Sequence, residues 1–434
     1  MRAVTVGCLA ALVTAAAAAQ VQIDITRQID RRTPIAVPDF VTAPGHEALG
    51  AELAEVIRYD LEFTGLFQLL DRSQFPSSFT GFTSDASAID FDGWRATNAE
   101  FLVYVYVTVQ GAEIAAECRL FDVIGAQQVV GKRFTADTQW QRSLAHRFSD
   151  EIVLFLTGEP GIATSQIAFS GGQTGSKEIY VVDYDGASLR KVTDHAGGSG
   201  KPISTLPAFS PEGKRIAYLS YKDRYPFLYI LDLPSGASTP LSKNVGLNTS
   251  PAWRPNGSQL AVVLSVDANN EIYLVSQDGS SKQRLTNDRS VDASPTFSPD
   301  GGQIAFVSDR QGSPQIFVMG ADGSGARRVS FHGGKAYHPD WSPNGRLITF
   351  VGEASSEGYE IYVMNADGTN PRRLTNSSGS NESPSFSADS RHIVFASTRS
   401  GRSELWTVNV ETGEERRVPG ISVSAQAPSW GPRR

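Results

Sequence analysis

Six histidines, two cysteines and scattered carboxylates are the residues of this chain that could do chemistry, and their spacing decides how much. The histidines stand at 46, 146, 195, 332, 338 and 392, and no two of them share metal-ligand spacing. There is no Gly-x-Ser-x-Gly elbow, no His-Glu-x-x-His helix and no glycine loop that could cradle a phosphate. Cys8 falls in the apolar start of the chain, which leaves Cys118 without a disulfide partner in a processed protein. Ile114, Ala116, Cys118 and Leu120 alternate with polar residues, so the thiol reads as packing on the apolar face of a strand. One constellation could do more. Asp292, Asn248, His338 and Glu382 stand at related places of a repeat, and converging on a central channel they would hold a metal for a hydrolase or dehydrogenase. The competing reading has no catalysis and no cofactor: a rigid adaptor that presents surfaces to partners.

The elements that must position these residues come from the repeat. The phrase PAFSPEGKRIAY begins at Pro207, PAWRPNGSQLAV at Pro251 and PTFSPDGGQIAF at Pro295; PDWSPNGRLITF begins at Pro339, PSFSADSRHIVF at Pro384 and a truncated PSWGP at Pro428. A period of about 44 residues with several strand-like segments per unit predicts a β-propeller. Pro-x-aromatic-Ser is an extended strand, and Ser-Pro-Asp/Asn-Gly is a tight turn in which proline presets φ and glycine takes φ > 0. Ile167-Ala168-Phe169 and Ile179-Tyr180-Val181 supply later strands of a unit that lacks its first, while Pro428-Ser429-Trp430 is a first strand with nothing after it. Joined, they make the sixth blade and close the ring with the C-terminus. The aromatics Phe209, Trp253, Phe297, Trp341, Phe386 and Trp430 read as blade-to-blade core, each burial contributing about 4–6 kcal/mol as an upper estimate. The Asp-Gly pairs read as hairpin turns, since calcium-loop spacing is missing.

Function should then lie where the units differ. The pairs ahead of each first-strand proline are expected at the channel mouth: Thr205-Leu206, Thr249-Ser250, Ala293-Ser294, Tyr337-His338, Glu382-Ser383 and Gln426-Ala427, with Leu247, Asn248, Asp292 and Asn381 just before them.

Residues 20–158 lack the repeat. Leu49, Leu53, Val56, Ile57 and Leu61 form one helical stripe, and Trp140, Leu144, Phe148, Ile152 and Leu156 a second behind Thr138 as N-cap. Strands are expected at Phe67–Leu70, at a hairpin through Gln110-Gly111 and at Gln128–Phe134, giving a small α/β domain of two helices on a mixed sheet. The expected division is therefore a signal peptide over 1–19, an α/β domain over 20–158 and a six-bladed propeller over 159–434. The segment Gln20, Val21, Gln22, Ile23, Asp24, Ile25 and onward to Thr33 alternates apolar and polar, as an edge strand of its own domain or as a strand captured by a partner. A formal charge of −7 argues against nucleic-acid binding, and no segment after the start is apolar enough to insert in a membrane.

These phrases carry a resemblance. The propeller repeats, together with Arg32-Thr33-Pro34-Ile35-Ala36-Val37, Ile57-Arg58-Tyr59-Asp60-Leu61, Thr64-Gly65-Leu66-Phe67, Leu70-Asp71-Arg72 and the stretch from Trp140 to Gly158, resemble the TolB family, periplasmic proteins of the Tol-Pal system. The resemblance covers the whole length after the leader. It implies a monomeric adaptor in the periplasm that binds the lipoprotein Pal at the propeller mouth and TolA through the N-terminal segment, in support of outer-membrane integrity and division. Carried over by position, the Pal surface would include Leu247, Asn248, Ser250, Asp292, Ala293 and Ser294, joined by Tyr337, His338, Glu382 and Ser383. The TolA segment would be residues 20–33, and Leu247 departs from the polar residue expected at its place.

Overall fold

The computed structural model describes residues 32–76, 86–173, 175–195, 203–266, 268–354 and 358–433. Its first part is a sheet of β1 (Thr33–Ala36), β2 (Val41–Thr42), β3 (Phe67–Leu69), β4 (Phe101–Gln110), β5 (Glu113–Asp122) and β6 (Gln127–Asp137). Their order is β3-β1-β4-β5-β6, with β2 also beside β4. β1 runs parallel to both neighbours and β4, β5 and β6 form an antiparallel meander, so the sheet is mixed. Alternation along β4 decides its two faces. Phe101, Val103 and Val105 point to helices α1 (Glu47–Phe63) and α3 (Gln141–Thr157), with Cys118 buried in the same core. Leu102 and Tyr104 point to a short helix α2 (Phe91–Ala96), against Phe91 and Trp94.

Two local expectations are corrected. α2 has six residues, too few for a 3.6-residue period to show, and is started by Asp90, whose carboxylate accepts the Gly93 N–H at 2.8 Å. Thr138 is not the N-cap of α3: Thr138–Trp140 wind as a 3₁₀ turn, and Trp140 is left 60% exposed ahead of the apolar stripe. The helix ends as expected at Gly158, whose φ of 75° and N–H to the Leu154 carbonyl close the last turn.

Six four-stranded antiparallel sheets follow. Blades one to five begin with Ser204–Phe209, Asn248–Trp253, Asp292–Phe297, Ala336–Trp341 and Asn381–Phe386. The closing blade joins Ser424–Trp430 to Gln166–Gln173, Ser176–Asp183 and Arg190–Lys191, as the split repeat required. The repeat aromatics are buried between blades, Phe209 less fully than the rest. Where the fifth unit lacks the Pro-Asp-Gly turn, Ser390 takes the left-handed position (φ 61°) that glycine holds elsewhere.

Candidate functional site

Each first strand carries the same irregularity. Its pairing register shifts just before the proline, and the residue at the shift has a left-handed backbone: Leu206, Ser250, Ser294, His338, Ser383 and Ala427, with φ between 46° and 54°. A bulge of this kind re-aims a side chain. All six residues line a central channel of about 750 Å³, together with the prolines that follow them. Further along the strands the lining is Ala208, Ala252, Thr296, Asp340, Ser385 and Ser429, and the far end is rimmed by Pro211, Pro255, Pro299, Pro343 and Pro432.

The middle ring ties blades together. Ser429 accepts the Phe209 N–H at 3.2 Å, Ser385 the Trp430 N–H at 3.0 Å, and Asp340 both the Phe386 N–H at 2.8 Å and the Thr296 hydroxyl at 3.2 Å. Burial lifts the Asp340 carboxyl to about 6 against those hydrogen bonds. His338, two residues away, is pushed down by burial with Glu382 opposing, and no hydrogen-bond partner reaches its Nδ1 among the described residues.

The expected mouth residues separate into three groups. Ser250, Ser294, His338 and Ser383 come together around the channel. Leu247, Ala293 and Tyr337 are half-buried behind the rim, Tyr337 edge-on to Tyr359 at 5.8 Å, and Glu382 is exposed, accepting a hydrogen bond from Ser380 at 2.7 Å. Asn248 and Asp292 are fully buried and leave the surface set. Asn248 folds the loop ahead of its strand through Ser242, Asn244 and Gly246, and Asp292 takes a two-toothed grip from Arg310 at 2.8 and 3.0 Å. A buried polar group must be so satisfied, which is why these side chains turn inward. With two members so engaged, the metal set of Asp292, Asn248, His338 and Glu382 does not assemble, and the described residues hold no cluster of three or more His, Cys, Asp or Glu fit to bind an ion. Gln20, Val21, Gln22, Ile23, Asp24 and Ile25 lie outside the described residues.

Two features escaped the sequence reading. Asp340 replaces the small residue of Pro-x-aromatic in one unit only, a signal that was available. The other is a crescent of exposed apolar side chains on the loops around the mouth: Tyr221, Tyr225, Val245, Val266, Val291 and Phe331, of which Val245 is 92% and Phe331 66% exposed. They follow second or fourth strands of blades one to three, at the end where the bulges open. Nothing in a period of 44 residues marks a loop residue as exposed.

The N-terminal domain sits at the opposite end, over the turns. Phe63 stacks on His392 of the fifth blade at 4.4 Å and packs with Tyr184 and Trp430 of the closing blade. Asp150 accepts the backbone N–H groups of Ala163 and Thr164 where the chain enters the propeller. Among the described residues, no other element lies over the mouth with its crescent.

Residues 154–434 match the model of the TolB beta propeller domain, and residues 21–129 that of the TolB amino-terminal domain. The chain is 37% identical over 222 residues to the Tol-Pal system protein TolB of Desulfosudis oleivorans and 35% identical over 221 residues to that of Roseobacter denitrificans. These alignments cover 50% and 49% of this chain, and 49% and 48% of the relatives, so the chain spans about half the length of the curated relatives it matches. The crystal structure of TolB from Acinetobacter baumannii superposes with a TM-score of 0.80 at 25% identity, over 93% of this chain and 98% of that one.

Proposed function

The chain belongs to the TolB family of Tol-Pal system proteins, and on that premise we propose that it acts in the periplasm as a non-enzymatic adaptor with two separate docking regions. One is the propeller mouth, which receives the lipoprotein Pal; the other is the segment ahead of β1, which engages TolA. Through both it supports outer-membrane integrity and constriction at division. The observation that carries this reading is the mouth, over which no other element lies among the described residues. Exposed apolar side chains cluster beside the bulged channel rim, and the second domain is fixed to the other end. A patch of this kind on a rigid ring fits a protein partner. The surface set is Ser250, Ser294, His338, Ser383, Ala293, Tyr337, Glu382 and Leu247, with the crescent beside them. Thr33 is buried and paired with Phe67, which supports ending the proposed TolA segment just ahead of it.

Isothermal titration against purified Pal and TolA tests the division. Ser294→Trp fills the rim and is expected to weaken Pal binding by at least about tenfold, near 1.4 kcal/mol, with TolA binding unchanged. Removing residues 20–31 should abolish TolA binding and spare Pal. Unchanged Pal affinity in the first variant, or loss of both partners in the second, would refute two independent sites.

A further inference from the structure

A buried polar cluster lies between the two domains, away from both docking regions. His146 of α3 is 4% exposed and Asp60 of α1 2%. The His146 Nδ1 faces both Asp60 carboxylate oxygens, at 2.9 and 3.1 Å, and therefore carries a proton. Asp60 also accepts the hydroxyl of Tyr184, from the closing blade, at 2.5 Å. On the other side of the imidazole, Nε2 lies 3.7 Å from Asp185 and has no hydrogen-bond partner among the described residues. Asp185 is paired with Arg142 of α3. Around this centre stand Tyr59 and Glu62 of α1, Asp150 of α3 and Arg416 of the fifth blade.

The charges at the centre are incomplete without a second proton. Asp60 and Asp185 against Arg142 leave one negative charge buried when the imidazole is neutral, and its Nε2 lone pair then points at a carboxylate. Protonating Nε2 cancels that charge and turns the lone pair into a donor. An uncompensated charge in a buried interface is costly, and an imidazolium between two carboxylates removes it.

We propose that the domain junction is a proton-tuned latch, in which protonated His146 fastens α1 and α3 to the Tyr184–Asp185 turn of the closing blade and the neutral ring loosens them. Burial pulls the His146 pKa down, but the charge and hydrogen bond of Asp60, aided by Asp185, outweigh it and hold the group above its usual value. A histidine raised in this way contributes stability that is complete below about pH 6.5 and is lost as pH rises through the folded value. The latch is tight below the free value and slackens as pH rises through the folded one. This goes beyond the adaptor reading and does not depend on it.

Hydrogen exchange on the full chain, from about pH 5.5 to about pH 9 and corrected for intrinsic rates, reads the latch directly. Protection of amides 183–187 should fall with rising pH, by up to about tenfold for each unit by which the His146 pKa exceeds its free value. His146→Gln can still donate to Asp60 but cannot gain the proton, so its protection should be lower in acid and flat across the range. Nuclear magnetic resonance titration of the wild-type His146 ring should give a midpoint above about 6.5. A wild-type profile no steeper than that of His146→Gln overturns the latch, and so does a ring midpoint at or below the free value. Should His146→Gln fail to fold, the ring titration decides alone.

Discussion

The two ends of the ring are made by one repeat and finish opposite in character. At the turn end, units that are nearly alike form a base, and a single domain is fixed to part of it by Tyr184, Asp185 and Glu414 outside the repeated phrase and by His392 and Trp430 within it. Phe63 lies among Tyr184, His392 and Trp430, and Arg142 and His146 reach the turn after Asp183. At the loop end no domain lies over the crescent among the described residues, and apolar side chains stand in solvent. The turns are dictated by Ser-Pro-Asp-Gly and can vary little, whereas the loops carry no conformational duty and can diverge. Fixed geometry therefore gathers at one end and variable chemistry at the other.

The sharpest way to break that comparison is at Trp430, where the closing blade meets the N-terminal domain. Its ring lies near Phe63, its Nε1–H donates to Ser165 at 2.8 Å, and its backbone N–H donates to Ser385. Trp430→Ala should cost about 3–5 kcal/mol in urea unfolding. Limited proteolysis should also cut it near the junction at 158–165 faster than the wild type. Trp253→Ala, buried between blades far from α1, should lose comparable stability without that new cut. Equal cleavage in the two variants would mean that the closing blade does not hold the domain.

The loop end is tested next. Tyr225→Asp combined with Phe331→Asp places two charges in the crescent, where both rings are exposed. Pal binding should weaken by about 2 kcal/mol or more, the scale of an interface hot spot, while the melting temperature stays within error. A stable variant that binds Pal as before would move the docking surface off the crescent and onto the channel rim alone.

Much of this organisation is legible in the amino-acid sequence. Six blades, the strand that closes them and the burial of Cys118 follow from period, turn chemistry and alternation, which are local properties of the chain. The site was legible only by position. Counting back from each proline finds the rim, because the bulge recurs at one place in every unit; it cannot tell that Ser250 faces the channel while Asn248, two residues earlier, turns inward to hold its own loop. The Arg310 grip on Asp292 joins residues 18 apart across a strand pair, so a carboxylate that looks free in sequence is already spent. The junction cluster is harder still: Asp60, His146 and Asp185 meet through three elements, and only the packing of α1 and α3 on the closing blade brings them together.

Inside the channel the comparison turns on pH. Burial lifts Asp340 to about 6, so its folded form resists ionisation. A carboxyl raised in the folded state favours folding below its unfolded value and loses that contribution as pH rises through about 6. Asp340→Asn keeps an acceptor for the Phe386 N–H and cannot ionise. It should therefore melt higher than the wild type above pH 7 and show no loss of stability across the interval from about 4 to about 7. If the wild type is equally flat there, the carboxylate is better compensated in the channel than its hydrogen bonds imply.

The smallest effect concerns why the rim is not built of glycine. Six left-handed residues in one ring, each ahead of a proline, include none. Glycine would adopt φ near 50° without penalty, so the strain is tolerated for the sake of the side chains aimed into the channel. Ala427 separates the two terms, since its methyl adds almost nothing to the lining. Ala427→Gly relieves the strain but frees the unfolded chain, and the net change in urea unfolding should stay under about 1 kcal/mol. Ser294→Val puts a β-branched side chain into the same conformation and should be destabilising by more than the glycine change. Were both substitutions equally harmful, the rim would be held by packing around its side chains, and the bulges would count as part of the rigid turn-end scaffold instead of a platform for variable residues.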